Sequence, residues 1–434
     1  MKSFVLKFAL LMPGLFLMNI FLSGTTLAKT NIWAPPELAR IIEQGLKTNK
    51  EIKSLESQVE MLKEKTSVAG SLSDPRIGIG ILNLPLNSLR FNEQPMTQKQ
   101  VFIAQKVPWF GKRDLKSFRA SLTADKRKVK LDAKKLEISR KIASLYYEMG
   151  YISFSREINL RLKDIMNKIL KIAEVRYTTG KGLQQDIFQT EVELSKLQDE
   201  KFGLDKKLRI KEDMINELLN PESRIRLTPP SGMKYQNLSL NINELTTLAI
   251  ERNPFLKIKG LEAEYAKVDI SLAKKSFLPD MDFKVAYGRR EEDIAGRDWA
   301  DFISASITMN IPLWKKSRQD KNLSAGHAGS QAAIKSYKNI LESLPYKIDV
   351  LVAEINHFQK SYKLYSDKLV LQANDWAWSS MASYEVGRVG FDTMIKAQIR
   401  LIRFEQKAEK YLFNIYMKRA ELEELLGGPI SEIN

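Results

Sequence analysis

The sequence contains no cysteine and only two histidines. Without a thiol there is no disulfide, no catalytic cysteine and no acylated lipoprotein terminus. His327 and His357 lack a second ligand at metal-binding spacing, and we interpret both as helix-surface residues. Phosphate-binding glycine loops, nucleophile elbows and His-Glu metalloprotease motifs are absent as well. The sequence therefore predicts a protein that is not an enzyme and that holds no metal and no cofactor.

Long apolar runs are equally scarce. Only Phe8–Leu22 approaches the ~20 apolar residues that a spanning helix needs. Two lysines precede this run, and small residues ending at Ala28 follow it. This order is typical of a secretory signal, so we predict that residues 1–28 are cleaved on export. A single N-terminal membrane anchor is the alternative.

The chain carries a formal net charge of +17, which raises the question of a nucleic-acid partner. Its lysines are spread along helical stretches and alternate with acidic residues, as in 126–141. This pattern favours a solvated helix face over a phosphate-binding track. A basic nucleic-acid-binding coiled coil would also require that residues 1–28 are not a signal. We therefore expect no nucleic-acid partner.

The sequence contains an internal repeat of two copies. Five anchors recur in the same order, the first three pairs offset by 204 residues and the last two by 207. The pairs are Asn49 with Asn253, Pro75 with Pro279, Val107–Lys112 with Ile311–Lys316, Tyr177–Gly180 with Tyr384–Gly387, and Glu217–Asn220 with Glu424–Gly427. Such constant spacing indicates a genuine repeat.

The repeat divides the mature chain into a first copy at 29–220, a proline-containing connecting segment at 221–243 and a second copy at 244–434. Each copy predicts a helix, a β-hairpin, a very long helix, a tight turn and a returning helix. We expect the first helices at 36–70 and 245–276, the hairpins at 74–107 and 279–312, and the turns at 177–186 and 384–392.

The long helices show a coiled-coil seam, with apolar residues at spacings of three and four. In the second copy the seam is Leu341, Leu344, Ile348, Leu351, Ile355, Phe358, Tyr362, Tyr365 and Leu369. The first copy repeats the pattern over 138–172, and a helix from Asp114 to Arg176 would be on the order of 95 Å long. Pro345 lies inside the second long helix, so a kink or break is expected there.

Four short segments alternate apolar with small or polar residues, the period of a β-strand. The clearest is 302–311, followed by 281–287, 77–81 and, less regularly, 100–107. These segments have the length of transmembrane β-strands, but ordinary half-buried hairpins on a soluble sheet explain each of them equally well. Four strands cannot close a spanning barrel, and an open edge in lipid leaves backbone groups unpaired. A membrane location therefore requires completion by identical copies, eight strands from two or twelve from three.

The sequence resembles the TolC-like outer-membrane factor family over essentially its whole mature length. The resemblance is carried by the doubled organisation, by Asp74-Pro75 at the entry to the first strand, by Gln105–Arg113 (QKVPWFGKR) and by Tyr177–Asp186 (YTTGKGLQQD). It implies an α+β membrane protein: a long α-helical coiled-coil barrel, continuous with a transmembrane β-barrel that trimerisation completes with four strands per chain. It further implies contact with outer-membrane lipid, a periplasmic adaptor and, through it, an inner-membrane pump. The first and third motifs are most similar to the heavy-metal efflux branch, although drugs and polypeptides remain open as cargo.

The resemblance also implies where the functional residues lie. The helical turns would be periplasmic tips that dock the adaptor: Tyr177, Gly180, Gly182, Asp186, Tyr384, Gly387 and Gly390. The barrel would join the helices at Pro108, Trp109, Gly111, Pro312 and Trp314, where the tryptophans suit either a membrane-interface belt or packing at the bend. Asp392 lies at the start of the returning helix. Its negative charge is expected either to stabilise the positive end of the helix dipole or to form, with its symmetry copies, an acidic ring that gates the channel. The distance from Gly387 to Asp392 is one residue shorter than that from Gly180 to Asp186.

The function implied is a passive, gated outer-membrane conduit of a tripartite efflux or export system. The alternative is a soluble periplasmic coiled-coil scaffold or adaptor whose hairpins never enter lipid.

Overall fold

The computed structural model describes residues 35–220, 222 and 224–430, so the predicted signal at 1–28 lies outside the described residues. Long helices dominate the fold, and four strands form one sheet. In chain order the elements are α1 (Pro36–Thr48), α2 (Lys50–Gly70), β1 (Arg76–Leu82), β2 (Gln98–Val107), α3 (Lys112–Thr178), α4 (Gln184–Leu219), α5 (Ile242–Arg252), α6 (Pro254–Lys275), β3 (Met281–Arg289), β4 (Phe302–Met309), α7 (Gln319–Leu364), a π-helical turn (Tyr365–Leu369), α8 (Val370–Glu385) and α9 (Phe391–Leu426).

The two long helices have matching lengths. Helix α3 spans 67 residues and is therefore about 100 Å long. In the second repeat α7, the π-helical turn and α8 follow one another without interruption and contribute 46, 5 and 16 residues, the same total. The returning helices α4 and α9 have 36 residues each. The duplication seen in the sequence is therefore present in the lengths of the elements.

The first helix of each repeat is split in two, where a single helix was expected. Asn49 separates α1 from α2, and Asn253 separates α5 from α6, each with a non-helical ψ near 120°. The asparagine side chain accepts a hydrogen bond from the first turn of the following helix, which replaces the helix hydrogen bonds lost at the bend. Apolar periodicity continues across such a bend, so it does not reveal the interruption.

Helix α7 contains Pro345 in its interior and continues through it, so the expected break is absent. Proline removes one backbone hydrogen bond, which costs about 3 kcal/mol in an isolated helix. The neighbouring side chains of Leu344 and Ile348 are fully buried against the other helices and compensate for that loss. The α-helical hydrogen-bond pattern is interrupted only after Leu364, where Tyr365–Leu369 form a π-helical turn.

The strands form one antiparallel sheet in the order β1-β2-β3-β4. The two hairpins are joined through the pair β2–β3, in which Ile103 lies opposite Val285. This pair joins the first repeat to the second. The four-stranded antiparallel sheet continuous with long helices confirms the predicted fold class at the level of one chain.

The helices pack through buried apolar clusters. One cluster joins α1 and α3 to the end of α4, around Ile142 and Leu219. A second lies near the helical turns, around Met166 and Met394, and a third holds α5, α7 and the end of α9 together. Within the described residues, none of the helices combines the length and apolarity required to cross a bilayer.

The connecting segment between the repeats lies on the helices. Gln359 of α7 accepts a hydrogen bond from the Leu238 amide at 2.7 Å and donates one to the Leu238 carbonyl at 3.2 Å. The hydroxyl of Tyr416 on α9 donates to the carbonyl of Lys234 at 2.6 Å. Side chains therefore satisfy backbone groups in a segment that has no regular structure of its own.

Candidate functional site

One face of the sheet is apolar and exposed. Its residues line up across the strands, with Ile77 opposite Ile103, Ile103 opposite Val285 and Val285 opposite Ala305. The large side chains of this face are exposed by 38% for Phe283 to 85% for Ile79, apart from the half-buried Met281. We call this the apolar face: Ile77, Ile79, Ile81, Val101, Ile103, Met281, Phe283, Val285, Tyr287, Ile303, Ala305, Ile307 and Met309. The register places Lys99, Gln105 and Arg289, which lie near the strand ends, on the same side. An exposed apolar surface of this extent marks a site of interaction with a membrane or with another protein surface.

The opposite face is polar and partly buried by its own side chains. We call it the polar face: Arg76, Gly78, Gly80, Gln98, Gln100, Phe102, Ala104, Lys106, Asp282, Lys284, Ala286, Gly288, Phe302, Ser304, Ser306 and Thr308. Arg76 of β1 makes an ion pair with Asp282 of β3, so two side chains meet above the intervening strand β2. Strands two positions apart are separated by about 9.5 Å, a distance that an arginine and an aspartate side chain bridge together. The sheet is therefore inside out compared with one in a soluble protein, which buries its apolar face.

The sheet has two open edges. Within the described residues, no further strand pairs with β1 or with β4. Their unpaired amide and carbonyl groups are available to another chain, which is a liability in water and very costly in lipid. A four-stranded sheet with two free edges is one that further strands can extend on either side.

The first junction between sheet and helix is held by Asp280. Its carboxylate accepts hydrogen bonds from the Lys112 ammonium at 2.7 Å and from the Trp109 amide at 3.0 Å. Lys112 also donates to the Leu278 carbonyl. Burial alone would raise the pKa of Asp280, but Lys112 and the Trp109 amide outweigh it and hold the pKa below its ordinary value. The last residues before β3 are thereby fixed to the start of α3.

The predicted junction residues flank this contact. Gly111 adopts a positive φ of 75° immediately before α3, and Pro108 and Trp109 are half-buried beside it. In the second repeat Trp314 is exposed, and α7 begins seven residues after Pro312, whereas α3 begins four residues after Pro108. These three extra residues account for the change of the repeat offset from 204 to 207.

The two helical turns have the same backbone. Helix α3 ends with hydrogen bonds from the Gly180 amide to the Tyr177 carbonyl and from the Lys181 amide to the Arg176 carbonyl. Helix α8 repeats both bonds at positions 207 residues later. Gly180 and Gly387 have φ values of +71° and +77°, and this left-handed conformation favours glycine.

The side chains of the two turns differ, and they contact each other. Tyr384 is only 2% exposed, whereas its repeat counterpart Tyr177 is 45% exposed. The Arg176 guanidinium lies 4.7 Å from the Tyr384 ring centroid and donates to the carbonyls of Tyr384 and Lys181. The Tyr384 hydroxyl donates to Asp186 at 3.2 Å. Burial, and then the negative charge of Asp186, raise the pKa of Tyr384 to about 12.

Asp186 and Asp392 occupy different positions in their helices. Asp186 is the third residue of α4, and Asp392 is the second residue of α9. Asp392 is exposed, accepts a hydrogen bond from Gln189 at 3.0 Å and lies 3.6 Å from the Lys396 ammonium. The bond from Gln189, followed by the charge of Lys396, lowers the pKa of Asp392. Neither aspartate caps a backbone amide, although both lie in the first turn, where the helix dipole favours a negative charge.

The remaining predicted turn residues also lie here. Gly182 lies against Arg176, and a Cβ at Gly182 would stand 2.8 Å from the Cβ of Arg176. Gly390 precedes α9 with φ −73° and ψ 157°, a conformation open to other residues. The structure thus brings the predicted turn residues of both repeats into one end of the helical bundle.

Sequence reasoning missed Arg176, Gln189 and Asp280. The repeat itself carried a signal for Arg176, because the position 207 residues later is Ser383, and such an asymmetry marks a residue with a contact of its own. Asp280 follows the recognised Pro279, but its partner Lys112 is distant in the chain.

Groups of three or more His, Asp or Glu residues that could hold a metal ion were not found among the described residues.

No protein-family model matches the sequence, and no curated protein is similar to it. Solved structures are similar. The outer-membrane channel OprN superposes with a TM-score of 0.77 at 14% identity, over 91% of this chain and 90% of that one. CusC, a protein described as forming a transmembrane channel, gives 0.76 at 12% identity over 91% and 93%. The outer-membrane protein VceC from Vibrio cholerae gives 0.73 at 16% identity over 90% and 96%. The chain therefore has the fold of these outer-membrane proteins along nearly its whole length.

Proposed function

We propose that this chain is one subunit of a trimeric outer-membrane channel, a passive gated conduit rather than an enzyme. The inside-out sheet carries the proposal. Its apolar face suits lipid, its polar face suits an aqueous pore, and its open edges suit neighbouring copies of the same strands. Three copies would supply twelve strands, enough for a closed barrel. The likeness to solved outer-membrane channels supports the same assembly.

The long helices would continue this conduit into the periplasm. The paired turns lie at the end of the helices farthest along the chain from the sheet, and they combine positive-φ glycines with exposed side chains such as Tyr177. This surface would dock a periplasmic adaptor, which in turn would reach an inner-membrane pump. Heavy-metal cations as cargo remain a prediction that rests on the sequence resemblance alone.

Asp392 would act at the gate. It is exposed at the turn, and its lowered pKa keeps it charged at neutral pH. Threefold symmetry would gather three copies of this carboxylate around the entrance and attract cations. In single-channel recordings, we expect Asp392→Ala to weaken block by divalent cations. Asp199→Ala, which removes an exposed carboxylate farther along α4, is the control, and unchanged block in Asp392→Ala would exclude the ring.

The two faces of β4 provide a direct test of the channel. Ala305 and Ser304 are neighbours of similar size on the apolar and polar faces, respectively. Lysine at a lipid-facing position near the middle of a barrel strand costs about 2–4 kcal/mol, whereas a position facing the pore tolerates it. We expect Ala305→Lys to abolish the heat-modifiable oligomer in the detergent-insoluble outer-membrane fraction, and Ser304→Lys to retain it.

The competing function, a soluble periplasmic scaffold, predicts a different outcome. On that hypothesis Ala305→Lys would not affect folding or assembly, because position 305 would face water and the lysine side chain would be solvated. Recovery of the wild-type chain as a water-soluble monomer without detergent, or equal behaviour of the two lysine variants, would exclude the channel.

A further inference from the structure

The polar face of the sheet carries an excess of positive charge. Its cations are Arg76, Lys106 and Lys284, and its one carboxylate is Asp282. Strand β4 adds Ser304, Ser306 and Thr308 to this face and no charge. Resting on the proposed channel function, we propose that these residues form a positively charged pore wall and that the channel conducts anionic solutes in preference to cations.

The contacts on this face compensate only part of its positive charge, although Lys106 also interacts with the charge of Asp280, which lies just before β3. Asp282 pairs with Arg76 and lies opposite Lys106 in the strand register. The Lys284 ammonium stands 4.0 Å from the centroid of the Phe102 ring, a contact that positions the charge without neutralising it. Within the described residues, neither Lys106 nor Lys284 has a carboxylate at ion-pair distance. Each chain therefore contributes more positive than negative charge to the polar face.

The acidic loop between β3 and β4 does not reverse this balance inside the wall. Its carboxylates lie beyond the ends of the strands, and several are already engaged. Glu291 pairs with Lys99, Asp293 with Arg297, and Asp301 accepts hydrogen bonds from the Tyr287 hydroxyl and the Arg290 amide. These groups belong to the rim of the sheet, whereas Lys106 and Lys284 stand within the strands.

Assembly would multiply the effect. Symmetry places each lysine once per copy around the pore, and rings of Lys or Arg bias a pore toward anions. A water-filled cleft that is lined by one sign of charge and has low-dielectric walls focuses such a potential. The cargo favoured by this wall is a soluble anion, such as an organic carboxylate or an oxyanion. Its charge is opposite to that of the metal cations suggested by the sequence resemblance and of the cations that an Asp392 ring would attract at the entrance. The proposal therefore assigns the preference for anions to the sheet and not to the helical turns.

The test is ion selectivity of the purified full-length channel in a planar bilayer. A potassium chloride gradient at or below about 0.1 M keeps the Debye length near 10 Å and preserves the field of the wall. We expect the reversal potential to show chloride permeating more readily than potassium. Lys284→Gln and Lys106→Gln should each lower the chloride-to-potassium permeability ratio by roughly twofold, and the double variant should lower it further.

Lys99→Gln is the matched control, because Lys99 lies on β2 like Lys106 but on the side of Val101 and Ile103. It should leave the permeability ratio unchanged. Using two separate lysines protects the test from one variant that folds poorly. Conductance with potassium preferred, or an equal effect of Lys99→Gln and Lys106→Gln, would overturn the anion preference and leave the channel function intact. A wild-type protein that forms no oligomer and no conductance would overturn both.

Discussion

The side-chain amide of Asn49 donates a hydrogen bond of 2.8 Å to the carbonyl of Leu218. Asn253 makes the same bond to Leu425 at 2.7 Å in the second repeat. Each asparagine is almost fully buried, and each also caps the helix that follows it. The bend between the two short helices of a repeat is therefore tied to the end of its returning helix. In each repeat, the asparagine anchor therefore contacts the anchor at the end of the returning helix, which is Glu217–Asn220 in the first repeat and Glu424–Gly427 in the second.

We expect Asn49→Ala and Asn253→Ala to destabilise the protein by similar amounts. Each loses a helix cap, worth about 0.5–2 kcal/mol, and leaves a carbonyl without its donor, which adds about 1–3 kcal/mol. The control is Asn241→Ala, since Asn241 caps α5 and its amide reaches only Glu244 in the same turn. In thermal unfolding measured in detergent, Asn49→Ala and Asn253→Ala should lower the unfolding temperature clearly more than Asn241→Ala does. Equal losses at all three positions would refute the role of the bond between helices.

The contact between the two turns should depend on Tyr384. In Tyr384→Phe the hydroxyl no longer donates to Asp186, a loss of about 0.5–1.5 kcal/mol confined to the turns. We expect faster hydrogen exchange at 384–390 without a change at the sheet. Tyr177→Phe is the matched control, because this repeat counterpart is half-exposed. Identical exchange in the two variants would show that the turns do not depend on this hydrogen bond.

Lys112 and Asp280 should be energetically coupled to each other. An exposed ion pair that also involves a residue of α3 should show much weaker coupling. A double-mutant cycle with Lys112→Ala and Asp280→Asn should give a coupling energy of about 1–3 kcal/mol, since both groups are largely buried and each also bonds to a backbone group of its own. The pair Arg119 with Asp269, which is well exposed, should give about 0.5 kcal/mol or less. A coupling energy at the first pair no larger than at the second would contradict a structural role at the junction.

Glu409 should make stability depend on pH. Burial raises its pKa from 4.5 to about 6, and Tyr362 of α7 is close enough to sense its charge. Because the folded state favours the protonated form, this contribution is full below pH 4.5 and is lost as the pH rises through about 6. Glu409→Gln should therefore raise the unfolding temperature at pH 7.5 by the equivalent of about 1 kcal/mol, after allowing for partial solvent screening, and have little effect at pH 4.

Glu43→Gln is the control for this titration, since Glu43 is exposed on α1. It should change the unfolding temperature little at either pH. A gain at pH 4 as large as that at pH 7.5 in Glu409→Gln would show that packing, and not ionisation, causes the effect.

Local patterns predicted much of this fold. The offsets of 204 and 207, the alternation of 302–311 and the spacing of Leu344 and Ile348 depend on residues close in sequence, and each corresponds to an element of the structure. The glycines at the ends of the long helices were also recognisable, because a left-handed conformation restricts the residue type directly. Asn49 and Asn253 were recognised as a pair, but their role at a bend was not.

By itself, the sequence determined the duplication, the four alternating strands and the long helices, since these follow from the period with which side chains meet a surface. Only the tertiary structure decided that β2 pairs with β3, that Arg176 reaches Tyr384 and that Lys112 bonds to Asp280. It also decided that Arg76 and Asp282 meet across β2 on the polar face. These contacts join residues more than 150 positions apart, and no local period reports which distant surfaces come together when the chain folds.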